Sequence, residues 1–286
     1  MRRLTQQETV QALSDYRLDQ PIGVGFAFRD RARDTLYDWH AHAYHQLIYA
    51  IAGATQIEVE GARLLLPPGR AAWIPAGVRH RTFVADVDGA SLYFAPEAVP
   101  AAGRRVRILA ASPVMREMIL HALRWPRGAA EGDPMAASFF ATLALMCGEW
   151  LESELPLSLP SARHAGVARA MDYAAADPGR AVLAGALSAA AMSERTFRRR
   201  FAAETGMAWQ AWLAQARLME AMRRLAAGER VTDVAAEVGY ASLSAFAKAF
   251  AQLTGEAPAA FRRRATGAGA IEQDRQPRDG FAKLRA

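Results

Sequence analysis

The first third of the chain contains four polar side chains whose spacing would let them act together. One residue separates His40 from His42, three residues separate His42 from Gln46, and His80 ends the segment PAGVRH. Imidazoles that converge can ligate Zn²⁺, Fe²⁺, Mn²⁺ or Ni²⁺ and leave a position open for a substrate. The same side chains can instead hold a small molecule by hydrogen bonds, without a metal. Both interpretations require a pocket.

A second group of candidate residues lies in two copies of one pattern, at residues 193–212 and 242–261, 49 residues apart. Each copy has two Phe residues four positions apart and then a Thr-Gly pair. On a helix the Phe residues fall on one side, which predicts a core anchor, and the positions between them fall on the other. The matched residues are Phe197 with Phe246, Phe201 with Phe250, and Thr205-Gly206 with Thr254-Gly255.

The outward positions of the two copies differ in charge. Arginine forks can bond O6 and N7 of guanine in the major groove, whereas flanking cations, such as the run at 262–264, are better placed for phosphates. The stretch between the copies predicts a helix of about 17 residues, roughly 25 Å long, which could hold the two copies about one DNA turn apart. The outward residues are Arg195, Arg198 and Arg199, flanked by Arg200, in the first copy and Ser244 and Lys248 in the second.

Charge and composition bound the possible classes of protein. Residues 163–264 carry 15 Lys and Arg against 9 Asp and Glu, whereas residues 1–162 carry 16 against 17, so the net charge of +6 lies in the part with the repeat. That favours a polyanionic partner. Cys147 is the single cysteine of the chain, so a disulfide framework is excluded. We expect its thiol to be buried. We expect a cytoplasmic protein without membrane association, because the sequence has neither a signal-like start nor a long apolar run.

The periodicity that must position these residues changes along the chain. Residues 20–95 have short alternating runs broken by Gly, Pro and Asp, which predicts strands, and residues 105–154 have helical spacing. We therefore predict an α+β protein of two domains: an N-terminal arm (1–19), a β-barrel with trailing helices (20–154), a linker (155–164), a helical domain (165–264) and a flexible tail (265–286).

The repeat resembles the DNA-binding domain of the AraC/XylS family of transcription regulators, in which two helix-turn-helix motifs are joined by a long helix. The resemblance covers about residues 165–264 and is strongest over VTDVAAEVGYASLSAFAKAFAQLTGEAPAAFRR. It implies a sequence-specific, effector-responsive regulator that is not an enzyme, with recognition helices at about 193–203 and 242–252. By position it assigns DNA contacts to Arg195, Thr196, Arg198, Arg199, Arg200, Leu243, Ser244 and Lys248.

The first motif departs from the family at two places. Ala186-Leu187 stands where the family usually has Leu-Ala, and Ala191 stands where it has Gly in the turn. Because Ala at positive φ carries a strain cost, either the turn differs or the helix packs in a shifted register.

The histidine segments resemble the cupin family, whose first motif continues from HxH to a Glu and a Gly and whose second contains PxGxxH. Gln46 stands at the Glu position. The resemblance implies a small barrel in which His40, His42, Gln46 and His80 bind an effector. It also implies a possible divalent metal on His40, His42 and His80, although no cofactor is required.

Two other functions remain open from the sequence. One is a metal-dependent cupin enzyme, such as a dioxygenase or isomerase, with an accessory helical domain. The other is an architectural DNA-binding protein without an effector, which the differently charged copies disfavour. The partners expected for the leading interpretation are double-stranded DNA, a small-molecule effector, RNA polymerase and a second copy in a homodimer.

Overall fold

The computed structural model describes residues 2–21, 23–32 and 34–267. The chain divides into two compact units, the first built chiefly from residues 2–59 and 65–156 and the second from residues 60–64 and 157–263. Within these described residues, no helix combines the length and apolar character that a membrane crossing needs.

Strands dominate the first unit. The strands of the chain are β1 Arg2–Arg3, β2 Gly25–Ala32, β3 Thr35–His40, β4 His45–Val59, β5 Ala62–Leu66, β6 Arg70–Ile74, β7 His80–Phe94, β8 Arg107–Ala110, β9 Glu154–Leu155 and β10 Ser158–Pro160. The order of neighbouring strands in the sheet is β1, β3, β7, β4, β6, β8 and β9, and β2 also pairs with β7. β4 and β7 are antiparallel, and bulges between Ala50 and Ala54 bend the pair around Gly53, which has a φ of 73°. This sheet confirms the predicted cupin-like domain.

The described residues of this unit also form the α-helices α1 Gln6–Asp15, α2 Pro113–Ala122 and α3 Pro134–Trp150. α1 forms within the predicted arm, because Thr5 and Glu8 cap its first turn reciprocally. α2 and α3 are the predicted trailing helices, and Phe140 of α3 packs on Phe94 of the sheet, with ring centroids 6.2 Å apart. Cys147 lies in this core and is 1% exposed, so the predicted buried thiol is confirmed.

The second unit is mainly helical, as predicted for a double helix-turn-helix domain. Its helices are α4 Ala165–Ala176, α5 Leu183–Ala190, α6 Glu194–Thr205, α7 Trp209–Ala226, α8 Val231–Glu237, α9 Leu243–Thr254 and α10 Pro258–Gly267. The predicted linker contains β10, which pairs with residues 62–64 of the same unit. The predicted tail begins inside α10, and its residues 268–286 lie outside the described part of the chain.

The turn between α5 and α6 keeps a left-handed residue even though that residue is not glycine. Ala191 has φ 54° and ψ 47°, and its N–H donates to Ser188 O. In the second motif the corresponding conformation belongs to Gly239, with a φ of 83°. Because Ala191 has a Cβ atom, its left-handed backbone conformation is strained, as the sequence predicted for a turn of this form.

Candidate functional sites

The two copies of the repeat fold into α6 and α9, and their aromatic anchors have closely similar geometry. The rings of Phe197 and Phe201 are 5.4 Å apart at 49°, and those of Phe246 and Phe250 are 5.6 Å apart at 51°. All four side chains are completely buried. Trp209 closes the first cluster, and Phe261 closes the second. Both helices are thus held by the same face.

The Thr-Gly ends of the two helices are also equivalent, down to their hydrogen bonds. Thr205 Oγ1 donates to Phe201 O at 2.7 Å, and Thr254 Oγ1 donates to Phe250 O at 2.9 Å. Each hydroxyl also accepts the N–H two residues later, and the intervening Gly adopts a left-handed conformation. These contacts satisfy polar groups that a helix end leaves unpaired.

The outward face of α6 is a row of exposed cations. Arg195, Arg199 and Arg200 form no hydrogen bond or ion pair with any residue that the structure describes, and all three are exposed. Thr196 is half-buried and accepts a hydrogen bond from the Ser193 hydroxyl at 3.1 Å. The guanidinium groups on this face are therefore available to a polyanion.

Arg198 differs from its neighbours because it is already engaged within the helix. Its Nε donates to Glu194 Oε1 at 2.7 Å, and a terminal nitrogen lies 3.4 Å from Gln210 Oε1. The ion pair is exposed, so it contributes little to stability and can open readily. A base contact by Arg198 would require that opening.

The outward face of α9 offers much less charge. Lys248 is its only cation, and Ser244 and Leu243 are exposed beside it, Leu243 by 47%. Ser242 caps the helix through Ala245 N and also contacts the Ser244 hydroxyl at 3.3 Å. The two helices therefore have the same buried face and unequal exposed faces.

The first unit brings the four predicted pocket residues together. His40 ends β3 opposite His80, which begins β7, and their ring centroids are 4.2 Å apart. The ring of His42 lies 5.2 Å from that of His80 and 6.4 Å from that of His40. Gln46 is the second residue of β4 and contacts Tyr93. All of these side chains line one cavity of about 70 Å³.

Backbone carbonyls determine which ring nitrogen carries the proton in each histidine. His40 Nδ1 lies 2.7 Å from Asp38 O, His42 Nδ1 lies 2.7 Å from Tyr44 O, and His80 Nδ1 lies 2.9 Å from Val78 O. Because a carbonyl only accepts, each Nδ1 must donate. Each neutral ring then has an unprotonated Nε2.

Burial keeps these imidazoles neutral. It lowers the pKa of His42 to about 4, with the nearby His40 adding to the effect. Burial also lowers the pKa of His40, and it lowers that of His80 well below its usual range. At neutral pH the cluster is consequently a group of hydrogen-bond acceptors.

The amide of Gln46 completes this polar end of the cavity. One amide atom lies 3.0 Å from His42 Nε2, and the other lies 2.8 Å from the Tyr93 hydroxyl and 3.3 Å from the Ser91 hydroxyl. A neutral His42 that donates from Nδ1 can only accept at Nε2. The amide therefore has to direct its NH₂ group at His42 and its oxygen at the two hydroxyls, an orientation that hydrogen-bond chemistry decides.

The cavity contains a carboxylic acid that the sequence analysis missed. Asp30 lies on β2, and its Oδ1 is buried without a hydrogen-bond partner among the described residues. Burial, with the charge of Asp88 as the second cause, raises its pKa to about 7. The alternation Phe26, Phe28, Asp30 in GFAFRDRA could have identified it, because it puts Asp30 on the face of the two aromatic residues.

The histidine cluster fits a metal centre by donor type but not by arrangement. Metal-binding histidines usually donate the second N–H to a carbonyl or carboxylate, as these three do. However, within the described part of the chain, no group of three or more His, Cys, Asp or Glu side chains is arranged to hold a metal ion. His42 Nε2 instead faces the Gln46 amide.

A larger cavity of about 420 Å³ lies elsewhere in the same unit, beside Gly25 and Pro134. Two of its charged side chains already have partners. Arg127 donates to Arg17 O and Gln20 O, and Asp133 accepts from Trp125 Nε1 and Met135 N. The smaller histidine cavity, with an unpartnered carboxylate oxygen, is the better candidate for a ligand site despite its size.

Comparison with known families and proteins agrees with this division. A family model described as an AraC-like ligand binding domain matches residues 23–155, and one described as a helix-turn-helix domain matches residues 187–264. Over 240 residues the chain is 33% identical to the HTH-type transcriptional regulator NimR of Escherichia coli (strain K12), with 79% of this chain and 82% of that protein covered.

Two solved structures are also similar. ToxT of Vibrio cholerae O395 matches at 11% identity and a TM-score of 0.37, over 85% of this chain and 98% of that one. The DNA-binding domain of AdpA in complex with a target DNA matches at 29% identity and a TM-score of 0.33, over 38% and 98%. From the two family models and the similarity to NimR, we conclude that the chain belongs to the AraC/XylS family of transcription regulators, with a ligand-binding domain ahead of a DNA-binding helix-turn-helix domain.

Proposed function

We propose that α6 and α9 enter the major groove of double-stranded DNA and read different parts of one asymmetric operator. The observation that supports this most directly is the pair of matched buried faces with unequal exposed faces. Equivalent anchoring presents both helices in the same way, so the exposed side chains account for any difference in what they read.

In this proposal α6 provides most of the base discrimination. Arg195 and Arg199 are the guanine readers, since both are exposed and unpaired with described residues. Arg198 joins them when it leaves Glu194. Arg200 on the flank and Thr196 near the helix start contact the phosphate backbone, which adds affinity without sequence information.

In this proposal α9 contributes mainly shape complementarity to the major groove. Ser244 can bond to several base edges, Lys248 can bind a phosphate or a guanine, and exposed Leu243 can contact a thymine methyl group. Such contacts discriminate less strongly than an arginine fork. We therefore expect the half of the operator under α6 to tolerate fewer base changes than the half under α9.

The test of base reading uses Arg199→Ala in the full chain. Operator duplexes selected from a random pool would be bound in parallel with a random duplex, with affinity measured by fluorescence anisotropy. We expect a loss of about 1–3 kcal/mol on the selected duplex and a much smaller loss on the random one. Arg180→Ala is the matched control, because this exposed arginine lies outside α6 and α9.

Equal losses on the two duplexes would make Arg199 a phosphate contact. Equal affinity of the wild-type protein for selected and random duplexes, with a steep salt dependence, would instead support the architectural alternative.

The same proposal assigns the effector to the cavity around the histidine cluster. His40, His42, Gln46 and His80 would hold it through hydrogen bonds, and the small cavity volume of about 70 Å³ favours a compact molecule. Neutral imidazole acceptors and buried hydroxyls suit a compact polar molecule.

A divalent transition metal is the second candidate for this cavity. The three Nδ1–H groups bonded to carbonyls favour it, because they leave each Nε2 unprotonated, although His42 Nε2 would have to exchange the Gln46 amide for the metal. Metal analysis of protein prepared without chelator would test it, together with His42→Ala. Stoichiometric metal that the substitution removes would support a metal centre and reopen the cupin enzyme as an alternative function. Metal content unaffected by His42→Ala would eliminate both.

We expect a homodimer, as is common in the family, that acts on RNA polymerase at a promoter in the cytoplasm, where the chromosome is accessible. Sedimentation of the protein with and without operator DNA measures the dimer directly, and a single copy per operator would contradict it.

A further inference from the structure

Asp30 is a partly buried acid whose Oδ1 is fully buried, and no cation is found among the described residues that line its cavity. Phe26, Phe28 and Asp30 alternate along β2, and both Phe rings stack on Tyr93 in the cavity wall. Oδ1 of Asp30 has no hydrogen-bond partner within the described residues. Burying a carboxylate in this way is costly unless an opposite charge or a donor reaches it.

The neighbouring arginines are occupied by another carboxylate. Arg29 forms an ion pair with Asp88 at 2.6 Å, and Arg31 lies 3.5 Å from the same group. Neither lines the cavity, and no Lys or Arg is found among the described residues that do. Asp88 adds negative potential at Asp30, which is the second cause of its raised pKa.

The other lining residues that the structure describes supply no cation either. His40, His42 and His80 are neutral with an unprotonated Nε2, because each Nδ1–H is bonded to a carbonyl. The Nε2 atoms of His40 and His80 remain available as acceptors, whereas that of His42 faces the Gln46 amide. The hydroxyls of Tyr37 and Tyr93 remain neutral, since burial and the charge of Asp30 both raise their pKa values. The cavity of about 70 Å³ is thus lined by a carboxyl group and by hydrogen-bond acceptors.

We propose that the effector is a compact organic cation with N–H donors, and that Asp30 is its anionic anchor while His40 and His80 accept its remaining N–H groups. This inference rests on the proposed effector cavity and adds the charge of the ligand to it. An amidinium group suits this lining, because it carries a delocalised positive charge together with several N–H donors.

Three molecules of almost the same shape test the charge: acetamidinium, acetamide and acetate. Binding to the full chain would be measured by calorimetry at pH 8, where Asp30 is ionised, with EDTA present to remove metal ions. We expect acetamidinium to bind at least about tenfold more tightly than acetamide, and acetate to bind most weakly. Asp30→Asn should bring acetamidinium to the level of acetamide, whereas Asp15→Asn, at an exposed site on α1, should preserve the wild-type order.

The outcomes separate this inference from the proposed function. If acetamide or acetate binds as tightly as acetamidinium, or if Asp30→Asn preserves the preference, the charge assignment is wrong and the cavity remains the effector site. If none of the three binds, both the charge and the cavity assignment fail, while DNA reading is judged separately from Arg199→Ala. The comparison within the wild-type chain does not depend on how any variant folds.

Discussion

Burial decides the chemistry of the histidines in the first unit. His42 and His80 are nearly inaccessible, and desolvation keeps them neutral at physiological pH. Desolvation therefore makes hydrogen-bond acceptors of residues that are often charged. In the second unit Arg195 and Arg199 are exposed, so a nucleic acid can reach their guanidinium groups.

Asp30 gives a prediction about stability and pH. Its folded-state pKa of about 7 lies above the usual value of 3.8, so the folded protein holds this proton more tightly than the unfolded chain. The stabilisation from Asp30 is complete below the unfolded-state pKa and is lost as pH rises to about 7. Asp30→Asn removes this loss and should be the more stable protein at pH 8.

Thermal unfolding of Asp30→Asn and wild type across pH 4 to 8 measures the effect. The difference in melting temperature should grow up to about pH 7 and then level off. Asp15→Asn should show no comparable trend. A difference that is constant over this range would mean that the carboxyl titrates normally in the folded state.

At the scale of helices, the two motifs differ most in how the first helix of each ends. α6 and α9 both end at a Gly with positive φ, and α8 is followed by Gly239, whereas α5 ends at Ala191 in the same left-handed region. The surrounding helix packing holds Ala191 there, since Ala186 and Ala190 of α5 are buried. Packing therefore overrides the preference of a single residue.

Ala191→Gly should stabilise the DNA-binding unit. Glycine adopts positive φ without strain, which stabilises the folded state, but it also increases the entropy of the unfolded chain, which opposes this effect. We expect the free energy of unfolding to rise by about 0.5–1 kcal/mol. Ala189→Gly is the matched control, because it lies within α5 and should destabilise by a similar amount. Chemical denaturation measures the change in the free energy of unfolding of each variant, which should have opposite signs. A loss of stability in Ala191→Gly would show that the left-handed conformation of Ala191 is not strained.

At the scale of the whole molecule, charge and cavity belong to different parts of the chain. The basic excess lies in residues 163–264, and the cavity residues lie between Thr9 and Tyr93. A regulator built in this way must couple two binding equilibria, and such coupling is reciprocal. Whatever factor a ligand applies to operator affinity, the operator applies to ligand affinity.

This reciprocity can be measured with acetamidinium as the cavity ligand. We expect operator affinity with saturating ligand to change by a factor of about 5–150, in either direction. The affinity of acetamidinium should change by the same factor when operator DNA is saturating. A ligand that binds the cavity and leaves operator affinity unchanged would not be the effector.

Much of this protein could be predicted from its sequence, because the relevant signals are local and periodic. Phe197, Phe201, Phe246 and Phe250 recur at helical spacing, and the Thr-Gly pairs mark where both helices end. The histidine spacing predicted that four side chains would share one pocket, and the structure brings them together. Short-range periodicity determines such features before any long-range contact forms.

Tertiary structure alone decided the chemical state of these residues. The pairing of β3 with β7 opposes His40 and His80, and backbone carbonyls then select the proton position on each ring. The presence of Asp30 in the cavity depends on β2 joining the same sheet. Desolvation and proton position depend on neighbours distant in sequence. The sequence therefore determined the two anchored helices and the residues that share the cavity, while the fold determined the protonation of the cavity.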